Sequence, residues 1–125
     1  MITALLASSD KTHFSDMIDA FQNRSIRIDP VQTGSLALTL IAQSHYNLLI
    51  TDEDLSDMSA KTLVERTITL NPFINCVVVS RLSHKDFHEA FEGLGVLMQF
   101  PPEPGTTDVQ KLLDHLNKIQ LVTKK

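Results

Sequence analysis

The chain has 125 residues, 42% of them hydrophobic, which suits a single domain, residues 1–125, with a core large enough to fold alone. A formal charge of −4 and a pI near 5.6 argue against direct binding to nucleic acid or to an anionic membrane, both of which need a basic surface. The apolar stretches are strand-length and broken by polar residues, so neither a membrane span nor a secretory leader is expected, and a cytoplasmic location follows by default.

Short apolar runs alternate with helical patterns five times, the pattern of βαβ units around a parallel sheet. Ala4-Leu5-Leu6-Ala7 makes the first strand. Phe14, Met17, Ile18 and Phe21 then recur at i, i+3, i+4 and i+7, giving one apolar helical stripe that Ser9 or Asp10 could cap. The second strand, Ser25-Ile26-Arg27-Ile28, alternates as an edge strand would, and Asp29-Pro30 is expected to end it. Gly34-Ser35-Leu36-Ala37-Leu38 opens a helix through Ile41 and Ala42. The third strand, Leu48-Leu49-Ile50-Thr51, runs into Asp52. A third helix on Leu63, Val64, Thr67 and Ile68 stops before Asn71-Pro72, because proline disfavours helix at the residue before it.

Val77-Val78-Val79 forms the fourth strand and runs into Ser80. Cys76 precedes it, is the only cysteine, can form no internal disulfide and reads as core filler. The fourth helix puts Phe87, Ala90 and Phe91 on one face and ends at Gly93. Val96-Leu97-Met98-Gln99 leads into Phe100-Pro101 as the fifth strand. A tight Pro101-Pro102-Glu103-Pro104-Gly105 loop follows, then a last helix carrying Val109, Leu112, Leu113, Leu116 and Ile119. No internal repeat or low-complexity tract interrupts this order.

Three of the strands end on residues that can reach one site: Asp52, Ser80 and Phe100-Pro101. In a parallel α/β sheet the carboxyl ends of the strands are where chemistry collects. The arrangement resembles the receiver domain of bacterial two-component response regulators, in which an acceptor aspartate ends the third strand, a hydroxyl residue the fourth and a Lys-Pro pair the fifth. The Gly34-to-Leu38 segment, the spacing of Asp52 to Ser80 and of Gly93 to Phe100, and Asp57-Met58 in the loop after the acceptor strand carry the resemblance over essentially the whole chain. It implies a flavodoxin-like, doubly wound (βα)5 three-layer sandwich with a five-stranded parallel sheet in the order 2-1-3-4-5. It also implies Asp52 as the phosphoacceptor position, Ser80 as the phosphate-hydroxyl position, a cis peptide bond before Pro101, and Leu97 where the family has a switch aromatic.

Two departures bear on chemistry. The acidic pair that should end the first strand is replaced by Ser8-Ser9, and the lysine position holds Phe100. Aspartyl phosphorylation places about two negative charges on a carboxylate, and the family holds them with magnesium, the lysine and the hydroxyl. The metal positions implied here are Ser8, Ser9, Asp52 and Asp54, and hydroxyls are weak ligands for magnesium. A one-residue shift of the first strand would bring Asp10 into the pair and restore one ligand. Candidate metal residues are therefore Asp10, Asp52 and Asp54, with weak magnesium binding at most and no other cofactor expected. Phe100 can neither pair with phosphate nor replace the lost charge.

Each of these residues also has a plainer explanation. Asp52 can be a strand-end carboxylate that caps the following loop, Ser80 a small residue tolerated at a strand end, and Glu53, Asp54 and Asp57 solvated loop acids. Ser8 and Ser9 can cradle an anion or simply cap a helix. His84 and His88 stand at i, i+4, the spacing of a two-histidine metal pair, yet no third ligand is near in sequence and a solvated helical face explains them. No glycine-rich phosphate loop, Gly-x-Ser-x-Gly elbow or Cys-His pairing is present, so no enzyme is expected. A flavin-binding relative of the fold would want a Ser/Thr/Gly-rich loop, which Ser8-Ser9-Asp10-Lys11-Thr12 matches faintly, and aromatics near the ring, where the chain has no Trp and one Tyr.

The reading that follows is a degenerate receiver-like signalling domain of a two-component or phosphorelay pathway, acting by protein–protein interaction. The alternatives are a phosphorylatable receiver using Asp52 with magnesium and, behind it, a flavodoxin-like flavin or small-molecule binder. Expected partners are proteins, a histidine kinase or a downstream regulator. The expected surface, for output and for a homodimer, is that of the fourth helix, fifth strand and fifth helix.

Overall fold

The computed structural model describes residues 2–53 and 55–123, with side chains as far as residue 118. Strands β1 (Thr3–Ala7), β2 (Arg27–Val31), β3 (Leu48–Asp52), β4 (Asn75–Val79) and β5 (Met98–Phe100) form one parallel sheet in the order β2-β1-β3-β4-β5. Helices α1 (Ser15–Gln22), α2 (Gly34–Gln43), α3 (Ala60–Leu70), α4 (His84–Ala90) and α5 (Thr106–Thr123) connect and follow them. The doubly wound architecture and the strand order are those the sequence implies.

The pleat divides the core into two layers, because successive strand residues face opposite sides. Ala4 and Leu6 of β1 pack with Phe14, Met17 and Phe21 and with Val109, Leu112 and Leu116 of α5. Leu5 and Ala7 pack on the other side with Ala37, Ile41, Leu63, Val64 and Phe87, from α2, α3 and α4. Strands covered on both faces are apolar along most of their length, which is why β1, β3 and β4 read as near-continuous hydrophobic runs, with polar residues only at their ends. Cys76 is 1% exposed in the second layer, and burial pushes its thiol up to about 12, so it fills space without thiolate chemistry.

Several elements differ from their sequence expectations. Strand β2 does not end at Asp29-Pro30 but runs through both to Val31, pairing Leu6 with Pro30 and Ala7 with Val31. Proline is tolerated there because β2 is an edge strand with one unpaired side. Asp10 caps a 3-10 turn, Lys11–Phe14, that precedes α1, and α1 itself has no side-chain cap. Ala90 is exposed, and α4 stops there, three residues before Gly93, whose φ of +82° suits glycine. Strand β5 pairs over three residues only. The side chain of Ile119 lies outside the described residues.

The expected cis bond before Pro101 is also corrected: among the described residues no peptide bond is cis. The trans isomer is favoured by about 0.5–1 kcal/mol before proline. Phe100 continues the strand, its carbonyl accepting from the Ser80 N–H at 3.0 Å, and Glu103 has a φ of +54° in the loop that follows. No helix among the described residues is long and apolar enough to cross a membrane.

Candidate functional site

A cleft of about 500 Å³ opens at the carboxyl ends of β3 and β4, between the β1–α1 and β5–α5 loops. Asp52 and Glu53 form its floor with Val79, Ser80 and Arg81, while His13 and Phe14 wall one side and Pro102 and Glu103 the other. The sheet order causes this convergence, since β3 lies between β1 and β4 and delivers Asp52 between Ser8 and Ser80.

Asp52 is partly buried and tied at both oxygens. Oδ1 accepts from the Glu53 N–H at 2.9 Å, and Oδ2 accepts from the Ser8 hydroxyl at 3.3 Å. Ser8 is 3% exposed, so it occupies the inward-facing position at the end of β1, and the structure gives no sign of a shifted register. Ser9 is exposed. Asp10 donates its backbone N–H to Ser8 Oγ at 3.1 Å but turns its carboxylate to Thr12, accepting from the amide at 3.1 Å and from the hydroxyl at 2.6 Å. Those Thr12 bonds, with the nearby His13, hold the Asp10 carboxyl below its usual range. His13 lies between two acids, 3.5 Å from Asp10 Oδ2 and 3.7 Å from Glu103 Oε1.

Ser80 is 3% exposed, and its hydroxyl accepts from the Leu82 N–H at 3.0 Å. The Gln99 side-chain amide crosses from β5 to donate to the carbonyls of Ser80 and Leu82 at 3.2 and 2.8 Å. Phe100 is 1% exposed and does not line the cleft; it belongs to the core layer of Phe14, Val79 and Val109. At the position where the resemblance expects a lysine, the chain therefore places an apolar ring inside the domain.

The described donors do not fit magnesium, a hard cation that takes carboxylate oxygens and keeps its waters otherwise. Asp52 is joined by a serine hydroxyl, Asp10 is engaged elsewhere, and Glu53 Oε1 accepts from the Arg81 N–H at 3.0 Å. Among the described residues no three His, Cys, Asp or Glu side chains gather to hold a metal. Asp54 lies outside the described residues. Asp57, grouped with Glu53 and Asp54 as loop acids, instead reaches the start of α2, where its two oxygens accept from the Gly34 and Ser35 N–H groups at 2.9 Å each. A side chain at position 34 would meet Met58 Sδ at 2.5 Å, so glycine there lets the β3–α3 loop close onto α2.

A second groove, about 770 Å³, runs between α4 and β5. Leu97 lines it, half-buried, packing toward the first core layer while its N–H donates to the Cys76 carbonyl at 2.8 Å. Phe87 and Phe91 stack at 4.7 Å between centroids and attach α4 to the sheet. Sequence reasoning missed His13, Arg81 and Glu103 as cleft residues. Arg81 directly follows Ser80 and was findable from that adjacency, whereas His13 and Glu103 come together only through the fold.

No family model and no curated protein matches the sequence. Among solved structures, the chain is similar to a CheY-like response regulator receiver domain protein from Methanospirillum hungatei at 15% identity and TM-score 0.85, covering 98% of each chain. It is similar to the signal receiver domain of an HD domain-containing protein from Pseudomonas fluorescens at 14% identity and TM-score 0.83, over 98% of this chain and 91% of that one. A two-component response regulator from Clostridium difficile aligns at 16% identity and TM-score 0.83, over 95% of this chain and 98% of that one. The chain thus has the receiver-domain fold along nearly its full length.

Proposed function

We propose that this chain is a receiver-like signalling domain of a two-component or phosphorelay pathway that acts through protein–protein contact and not through aspartyl phosphorylation. The burial of Phe100 carries the proposal. Phosphoryl transfer is mostly positioning and charge neutralisation, and the position of the neutralising cation is occupied by a core ring at 1% exposure. Ser8 supports the same reading, since it gives Asp52 a neutral hydroxyl partner where a metal would need a second carboxylate. The Ser8 and Thr12 hydroxyls bond to Asp52 and to Asp10, which weighs against a flavin phosphate site.

In this reading the domain turns over no substrate, holds magnesium only weakly and works in the cytoplasm. Its partner is a kinase or a downstream regulator. The groove between α4 and β5, continued by α5, is the surface for that partner or for a second copy of the chain. The test is incubation with acetyl phosphate, or with beryllofluoride and magnesium, followed by intact-mass spectrometry and NMR. No adduct and no change of oligomeric state are expected. A stoichiometric adduct that disappears in Asp52→Ala would overturn the proposal in favour of a working receiver, with Arg81 and His13, both lining the cleft, as the first candidates for the replacement charge.

A further inference from the structure

His84 and His88 belong to neither the cleft nor the core. Helix α4 starts at His84, and Ser83 fixes the first turn by accepting from the Asp86 N–H at 3.1 Å. Residues four apart on a helix share one face. Both rings are exposed, and they meet edge to face at 88°, with centroids 4.5 Å apart and their Nε2 atoms 3.2 Å apart.

That separation is a coordination distance as well as a hydrogen-bond distance. Two imidazole nitrogens bound to one ion at about 2.0–2.1 Å lie roughly 3.3–3.4 Å apart at a tetrahedral angle and about 2.9 Å apart at a right angle. The pair falls between these values, so little side-chain movement is needed to admit an ion. Phe87, three residues after His84 and next to His88, is 6% exposed and packs α4 against the sheet, which gives the two rings a common base. Glu89 and Glu92 line the same groove and favour positive charge there.

We propose that His84 and His88 chelate one late first-row divalent ion, of the zinc, nickel or copper(II) class that imidazole suits. The ion takes the place of the Nε2-to-Nε2 hydrogen bond, and each neutral ring then carries its proton on Nδ1. Among the described residues no third side chain completes the set, so the remaining coordination positions stay open to water or to a donor from another molecule. The ion would sit on the rim of the α4–β5 groove and add charge to that face. The site is independent of the signalling proposal, since an adduct on Asp52 would leave it untouched.

Zinc chloride titrated into the full chain, in a buffer that does not chelate, tests it by calorimetry and by the histidine ring resonances. One ion per chain should bind in the micromolar range, with His84 and His88 shifting. His84→Ala and His88→Ala should each weaken binding at least about tenfold, as loss of even an outer-shell partner does, and His115→Gln should not. Far-UV circular dichroism of the variants, whose alanines favour helix, checks that α4 is intact. Zinc should raise the melting temperature of the wild type and not of the two variants. Equal binding in wild type and both variants, or no binding at millimolar zinc, would overturn the proposal.

Discussion

Position 100 gives the sharpest quantitative test of the burial on which the proposed function rests. Phe100 is 1% exposed, pairs with Val79 across the sheet and packs in the layer of Phe14 and Val109. Phe100→Ala should lose the transfer energy of the ring and leave a cavity, together about 3–5 kcal/mol. In a domain stable by about 5–15 kcal/mol that is a large fraction. For a chain of this length each kcal/mol moves the melting temperature by about 3–5 °C, so a fall of roughly 10–20 °C is expected. The urea midpoint should drop by roughly 2 M. Phe100→Lys, which places a lysine where the resemblance to receivers expects one, should also destabilise by several kcal/mol, because its stem recovers part of the apolar contact while its ammonium must be desolvated or forced out. Urea unfolding followed by far-UV circular dichroism is the assay, since the chain has no Trp and one Tyr. A loss below about 1 kcal/mol for Phe100→Ala would refute the argument, because it would mean that the ring does not fill the core. So would a Phe100→Lys protein of wild-type stability that accepts phosphate from acetyl phosphate.

Asp57 closes the β3–α3 loop onto α2, and the Gly34 and Ser35 N–H groups hold its carboxyl below the usual range. A folded value below the unfolded one means a stabilisation present above about pH 4 and lost as pH falls through the folded value. Asp57→Asn should therefore lower the urea midpoint at pH 7, with the gap to wild type narrowing by pH 3; a gap that does not change with pH would remove the charge from the explanation. Thr67, on the buried face of α3, has a hydroxyl with no hydrogen-bond partner among the described residues. Thr67→Val keeps its shape and removes the unsatisfied group, so it should stabilise by about 1 kcal/mol, and a loss of stability in urea unfolding would show that the hydroxyl is satisfied.

The periodicities that fix the layers were readable in the sequence. Leu5 and Leu6, adjacent in β1, serve opposite layers, as alternation demands, and the stripes of α1, α3 and α5 reach the core where 3.6-residue spacing places them. The misses have common physical causes. Pro30 ends a strand only where its missing N–H is needed, and the unpaired side of an edge strand does not need it. The isomer of the Phe100–Pro101 bond is not legible from residue types alone, since trans is favoured before proline unless the surrounding fold selects cis. Asp57 was grouped with its sequence neighbours, while its partners lie 22 and 23 residues away at the start of another helix. That Ser8, Ser9 and Phe100 stand at strand ends was legible because strand ends follow from the hydrophobic runs; where Asp10 points is not, because Thr12 and His13 decide it locally.

An aspartate at position 52 has a structural reason that needs no phosphate. Its two oxygens accept from Glu53 and from Ser8, and Ser8 Oγ in turn accepts from the Asp10 amide. Asp10 binds Thr12 and faces His13, and His13 faces Glu103 in the β5–α5 loop. The contacts run from the end of β3 through the β1–α1 loop to the far wall of the cleft. In a site arranged for phosphoryl transfer, carboxylates gather on a cation and a basic group waits across from them. Here the carboxylates are parcelled out, Asp52 to a hydroxyl, Glu53 to the Arg81 amide, Asp10 to Thr12 and Asp57 to α2. In the folded domain these side chains tie loops to strands and helices, and the ends of β3 and β4 adjoin the α4–β5 groove through the Gln99 amide on the Ser80 carbonyl.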